Sequence, residues 1–343
     1  MNGCGRWRSL SEGLSLPEWL PEYDPKTQNS KLKTTPMFPS LRRLLANTVD
    51  YAGLFPPAKL SLSEAMANYG RDRNSPTAWM LNHFVLPAQR LEEFATGLSE
   101  LSASDDKLQP WSLSLILSGN LERAISTLQT FNSKQITIAS LEFPPLPSTT
   151  IKQLIPGLPV GVDTFFELPV LDNGKKSNPD NLQTSLAVLQ GTGAAAKIRT
   201  GGLTPEAFPN AKQLAQFVLN CTQFQVPFKA TAGLHHPLPA HRQLAPGLDS
   251  PSAEMHGFLN LAIAAAFAHQ QATTGQSLAL EDAIAILQEP CDRAFHVSDN
   301  GLSWRDRHLT LTEIDRSRQH CFKSFGSCSF KEPVEDLQNL DKF

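Results

Sequence analysis

In the stretch AAAKIRTGG (residues 194–202), three alanines lead into Lys197, Arg199 stands two positions on, and a glycine pair follows. VPFKATAGLHHP (226–237) sets Lys229 in a similar apolar run and places His235 and His236 behind it. Lysine is almost never fully buried without a partner. An ammonium group that is desolvated and close to another cation loses its proton more easily, and the resulting amine can attack a carbonyl to form a Schiff base. Arg199 adds a planar fork suited to a carboxylate or phosphate. The competing reading puts both lysines on an outer face, where they snorkel past covering helices to water.

Acidic residues occupy matching places in other apolar runs: Asp50 with Tyr51, Glu142, and Asp163 with Glu167. Alternate residues of a strand share a face. Lys197, Arg199 and Gly201 therefore point one way, as do Lys229, Thr231 and Gly233, and Asp163, Phe165 and Glu167. Two lysines and an arginine on adjacent strands need negative neighbours, which Glu142 and Glu167 supply from the next strands round. An anionic ligand is the other way to satisfy them. Gly201 and Gly202, followed by Thr204 and Pro205 as a helix start, form a candidate anion cradle of backbone N–H groups. The plainer reading of the glycines is a tight turn.

The elements that must hold these residues repeat along the chain. Strand-like runs fall at 48–55, 79–86, 111–117, 136–143, 161–168, 194–200 and 227–233, with amphipathic helical stretches between them. Ser61 and Glu64 make a capping box for one helix, and Thr204 with Pro205 is expected to open another. Strands alternating with helices indicate right-handed βαβ units and a parallel sheet. No G-x-G-x-x-G or phosphate-loop motif follows an early strand. That favours a closed (β/α)8 TIM-type barrel over an open doubly wound sheet. An eighth strand is expected within 295–310. There Asn300-Gly301 signals a type I′ hairpin, which an appended C-terminal hairpin would equally explain. Residues 1–36 read as a disordered extension, with Met37 as an alternative initiator. Residues 37–330 read as the barrel with its hairpin, and 331–343 as a tail.

With 41% apolar and 18% charged residues, the chain has enough for a sizeable core. A net charge of −3 predicts no general attraction to nucleic acid or anionic membranes. The apolar run at 258–268 is too short to span a bilayer. The five cysteines are scattered without a C-x-x-C pair, which argues against a disulfide framework and fits a cytoplasmic setting. Cys328 would need a neighbouring base to act as a nucleophile. Homo-oligomerisation stays open.

KIRTGG and FKATAGL resemble the paired lysine strands of deoxyribose-phosphate aldolase-type class I aldolases, in which K-[ST]-x-T-G is followed by K-x-[AS]-G-G. The resemblance implies a (β/α)8 barrel in which Lys197 forms the Schiff base and Lys229 lowers its pKa. Thr200-Gly201 and Ala232-Gly233 match the small residues after each lysine. Arg199 and Leu234-His235-His236 depart from that pattern. A second likeness spans most of the chain. VDYAGLFPPA, KIRTGG, KATAGLHHP, HGFLN and SFGSCSF-x-EP are similar to a family of uncharacterised bacterial proteins, and this implies an intact chain without implying an activity.

The expected function is therefore Schiff-base, aldolase-like lyase chemistry on a small, anionic, carbonyl-containing metabolite. Lys197, Lys229, Glu167, His235 and His236 carry the chemistry. Arg199, Gly201, Gly202, Asp50, Tyr51 and Glu142 bind substrate. No cofactor is needed on this reading. A divalent metal held by Glu142, Glu167 and one of His235 or His236 defines a lyase or isomerase alternative. A non-catalytic binding or scaffolding barrel is the third. Adjacent His235 and His236 face opposite ways if extended, so one of them is expected to be the acid/base.

Overall fold

The computed structural model describes residues 37–101, 109–170, 182–244 and 250–340. The proposed extension at 1–36 and the last three residues of the tail lie outside the described residues. Eight parallel strands close into a barrel: β1 (Val49–Tyr51), β2 (Leu81–Pro87), β3 (Trp111–Ile116), β4 (Ile136–Phe143), β5 (Asp163–Glu167), β6 (Ala195–Arg199), β7 (Phe228–Thr231) and, last in the chain, β13 (Phe322–Ser327). β13 pairs with both β7 and β1 and so shuts the cylinder. This is the (β/α)8 architecture that the alternating pattern predicts.

Helices cover the outside. Ser61 caps the helix Leu62–Asp72 through the predicted capping box with Glu64. Asn210 and Gln213 make a second such box for Ala211–Gln223. The start predicted at Thr204 is corrected: Pro205–Ala207 is a single 3₁₀ turn, and Pro209, which disfavours a helical residue before it, delays the helix. The helix Phe258–Thr273 is buried on every side over residues 258–268, which explains its unbroken apolar run. Among the described residues no helix is long and apolar enough to cross a membrane.

Two small antiparallel sheets decorate the barrel. β8 (Ala240–Gln243) and β9 (Ser252–Met255) form a hairpin inserted after β7. β10 (Phe295–Val297), β11 (Gly301–Trp304) and β12 (Arg307–Thr310) form the appended hairpin sheet, so the eighth stave does not lie in 295–310. Asn300 and Gly301 both lack a positive φ, so the predicted type I′ turn is absent. The true eighth strand, FKSFGS, escapes a hydrophobic pattern because its inward positions are polar or small. Ser324 donates a hydrogen bond to Asp50, and a Cβ at Gly326 would come within 3.2 Å of the Thr231 hydroxyl. Within the tail, Lys331–Gln338 is a helix with Pro333, Val334 and Leu337 buried.

Outward-facing side chains pack in aromatic clusters. Tyr51, Tyr69, Phe84, Phe94 and Trp111 join β1–β3 to their helices, with ring centroids 5.1–6.3 Å apart. Phe258 stacks on Phe325 behind β13. The barrel interior, by contrast, carries an unusually polar set of side chains.

Candidate active site

Lys197 of β6 and Lys229 of β7 are register partners, and Glu167 of β5 pairs with Lys197 on its other side. Both lysines point into the barrel and are 2% and 1% exposed, so the outward-snorkelling alternative fails. Lys229 Nζ donates to Asp50 Oδ2 at 2.5 Å and to Glu142 Oε1 at 2.6 Å. Lys197 Nζ lies 3.2 Å from Glu142 Oε2 and 3.1 Å from Glu167 Oε2. Glu142 therefore stands between the two ammonium groups and gives one oxygen to each.

The rest of the interior completes this network. Ser140 donates to Ser114, which donates to Glu142. Asn82 and Ser324 donate to Asp50. Burial alone would raise the Glu142 carboxyl, but the Lys229 and Lys197 ammonium groups and the hydrogen bonds from Lys229 and Ser114 outweigh it and hold it far below the usual carboxylate range. Burial would likewise lower Lys229, yet Asp50 and Glu142 more than offset it and hold the ammonium group above its ordinary value. Lys229 is thus a fixed positive charge.

Above the lysines a cavity of about 780 Å³ opens at the C-terminal ends of the strands, where Lys197, Lys229, Glu142, Glu167 and Arg199 all reach its wall. Arg199, half exposed at the rim, donates to Glu167 Oε1 at 3.1 Å. The β1 loop with Pro56 and Pro57 forms one side and the β8–β9 hairpin another. His235 and His236 line the mouth, and each is gripped at Nδ1 by a carboxylate of the terminal helix. His235 meets Glu332 at 2.9 Å, and His236 pairs with Asp336. The hydrogen bond from His235 is the first cause that lowers the Glu332 carboxyl below its ordinary range.

Several expected site residues take other places. Asp50 sits beneath the cavity floor, wholly buried, and acts on the site through Lys229. Tyr51 is the clearest correction: one residue on in the strand, it faces outward into the Tyr69–Phe84 cluster rather than the mouth. Gly201 is needed for backbone contact. A Cβ there would sit 2.7 Å from the Gly233 Cα, while Gly233 itself has φ of 77°. Thr200 ties the same junction by donating to the Ala232 carbonyl at 2.5 Å. Gly202 does reach the cavity, but the helix start meant to complete an anion cradle is absent. Glu332 and Asp336 are not apparent as site residues in the sequence.

The four histidines between 235 and 256 do not converge. His241 is exposed on β8, and buried His256 donates to the Pro209 carbonyl. Among the described residues no group of three or more His, Cys, Asp or Glu side chains is arranged to hold a metal ion. Glu142 and Glu167, offered as ligands in the metal alternative, are engaged by lysine and arginine instead. Cys328 lines the cavity, but burial pushes its thiol above the ordinary value, away from the thiolate a nucleophile needs. No family model, curated protein or solved structure matches the chain.

Proposed function

We propose that the protein is a Schiff-base lyase acting on a small anionic carbonyl compound, with Lys197 as the imine-forming amine. The observation that carries this reading is the placement of Lys197: a buried amine on the floor of an open cavity, beside a second lysine that shares its carboxylate. A carbonyl entering the cavity meets Lys197 Nζ. Glu167 at 3.1 Å accepts the proton the amine must shed. The amine adds to the carbonyl carbon, the hydroxyl of the carbinolamine leaves as water, and the protonated imine is left as an electron sink for carbon–carbon cleavage. Lys229, a fixed positive charge, stands beside Lys197 on the next strand. Arg199 at the rim suits an anionic group on the substrate.

The test is incubation of the protein with acetaldehyde or pyruvate and borohydride, followed by peptide mapping. A single reduced adduct at Lys197, absent from Lys197→Ala, is expected. Absence of an adduct, or adducts scattered over surface lysines, refutes the reading. A non-catalytic barrel is supported by one observation, the one-to-one balance of Asp50, Glu142 and Glu167 against Lys197, Lys229 and Arg199. The same experiment separates the two.

A further inference from the structure

Two histidines stand side by side at the cavity mouth, and their surroundings differ. His236 has a carboxylate near each ring nitrogen: Asp336 at Nδ1, and Glu332 Oε1 3.8 Å from Nε2. His235 has both of its contacts, Glu332 at 2.9 Å and the Ser327 hydroxyl at 3.4 Å, on Nδ1. A carboxylate only accepts, so it keeps a proton on the Nδ1 it contacts and leaves Nε2 as the atom that exchanges protons. Glu332 is itself placed by its helix, whose Glu332 backbone N–H donates to Ser329 Oγ and whose Val334 and Leu337 are buried.

We infer that His235, oriented by Glu332, is the acid that protonates the departing hydroxyl, and that His236 with Asp336 latches the terminal helix that carries Glu332. This rests on the imine reading above. In the forward direction the imidazolium gives its Nε2 proton to the carbinolamine hydroxyl. The C–O bond breaks, water departs, the C=N bond forms, and His235 is left neutral with its proton on Nδ1. Hydrolysis of the final imine runs the same transfer in reverse. Glu332 is a positioning residue, since it touches the imidazole and not the reacting atoms. The charged and titratable groups sharing the cavity with His235 are Glu332 and His236 beside it, Cys328, Arg242 on β8, Arg199 at the rim, and Lys197, Lys229, Glu142 and Glu167 below.

The full chain is tested by the pH dependence of borohydride trapping with acetaldehyde, and by nitrogen-15 NMR of the imidazoles. His235→Gln is expected to slow trapping about 100-fold and remove the limb of the pH profile that depends on the imidazole. Glu332→Gln is expected to slow it about 10-fold and displace that limb, because the imidazole loses the carboxylate that orients it at Nδ1. In the unmodified protein neutral His235 should carry its proton on Nδ1, and in Glu332→Gln that preference should weaken. A rigidly structural role would leave the limb in place. If wild type is trapped at Lys197 while His235→Gln keeps an unchanged profile, or if neutral His235 carries its proton on Nε2, the inference is overturned and the imine reading survives. If wild type is never trapped, both fall.

Discussion

Lys197 and Lys229 share one carboxylate: Glu142 Oε2 lies 3.2 Å from the first ammonium and Oε1 lies 2.6 Å from the second. The two partners of Glu142 are not equivalent. Lys229 also holds Asp50, whereas Lys197 shares Glu167 with Arg199. Removing Lys229 would strand the buried Asp50, while Glu142 keeps Lys197; removing Lys197 strands no carboxylate.

From this asymmetry follows the first expected outcome. Lys229→Met should destabilise the fold by about 3–5 kcal/mol, the cost of breaking a buried ion pair by deleting one partner. Lys197→Met should cost well under half of that, since Glu142 keeps Lys229 and Glu167 keeps Arg199. Urea unfolding monitored by tryptophan fluorescence measures both. Equal losses would mean that the two lysines do not divide their work in this way.

The β6–β7 junction gives a second outcome. Gly233 is left-handed, and a Cβ on it would lie 2.7 Å from the Thr200 carbonyl oxygen and 2.9 Å from the Gly201 Cα. Gly233→Ala therefore meets both backbone strain and a backbone clash, and should lower stability by about 1–3 kcal/mol. Because this junction places Lys197 and Lys229 side by side, imine trapping should fall more than folded protein does. Thermal melts and trapping yields on the folded fraction check the two effects separately.

Why some of this was legible in the sequence and some was not has a physical basis. Alternation of apolar runs with amphipathic helices exposes seven of the eight staves, because strands covered by helices must be greasy outside. It exposes Lys197, Lys229, Glu142 and Glu167, because a charge within such a run has to face the barrel interior. β13 is hidden for the opposite reason: Ser324 and Gly326 fit a crowded polar interior, and the strand has little apolar signature left. Tyr51 misleads because one residue of register separates the inner face, held by Asp50, from the outer one. Glu332 and Asp336 depend on a chain reversal that places the last helix across the mouth, about 100 residues from the histidines they hold, and no local pattern encodes that contact.

The outward placement of Tyr51 gives a third outcome. Tyr51→Phe keeps the ring packed against Tyr69 and Phe84 and removes only a hydroxyl that accepts from Asn68 at 3.4 Å. The rate of borohydride trapping should match that of the unaltered protein, with stability within about 0.5–1.5 kcal/mol of it, the worth of one ordinary hydrogen bond. A loss of trapping would place the phenol in the cavity after all.

Burial of the thiols gives a fourth. Cys221 and Cys321 are 0% and 2% exposed, and burial pushes Cys321 up to about 12. Neither should react with iodoacetamide at pH 8 in the folded protein, and both should react once it is unfolded in urea. Peptide mapping after timed alkylation reads this directly. Rapid labelling of either in the native protein would show that the packing behind β7 and β13 opens.

The buried network also fixes how stability responds to pH, with opposite signs at its two ends. Glu142 has a folded value far below the 4.5 of a free glutamate, so its contribution is present above about 4.5 and is lost as pH falls toward the folded value. Lys229 has a folded value above the 10.5 of a free lysine, so its contribution is present below about 10.5 and is lost as pH rises through the folded value. The melting temperature should therefore hold level between about pH 5 and 10 so far as this pair is concerned, and fall on either side. Glu142→Gln separates the two limbs. The acid limb should flatten, because the amide has no proton to bind. The plateau should drop, because Lys229 and Lys197 then face a neutral partner. An acid limb as steep in Glu142→Gln as in the parent protein would mean that carboxylates elsewhere govern acid unfolding and that the Lys–Glu–Lys bridge contributes little to it.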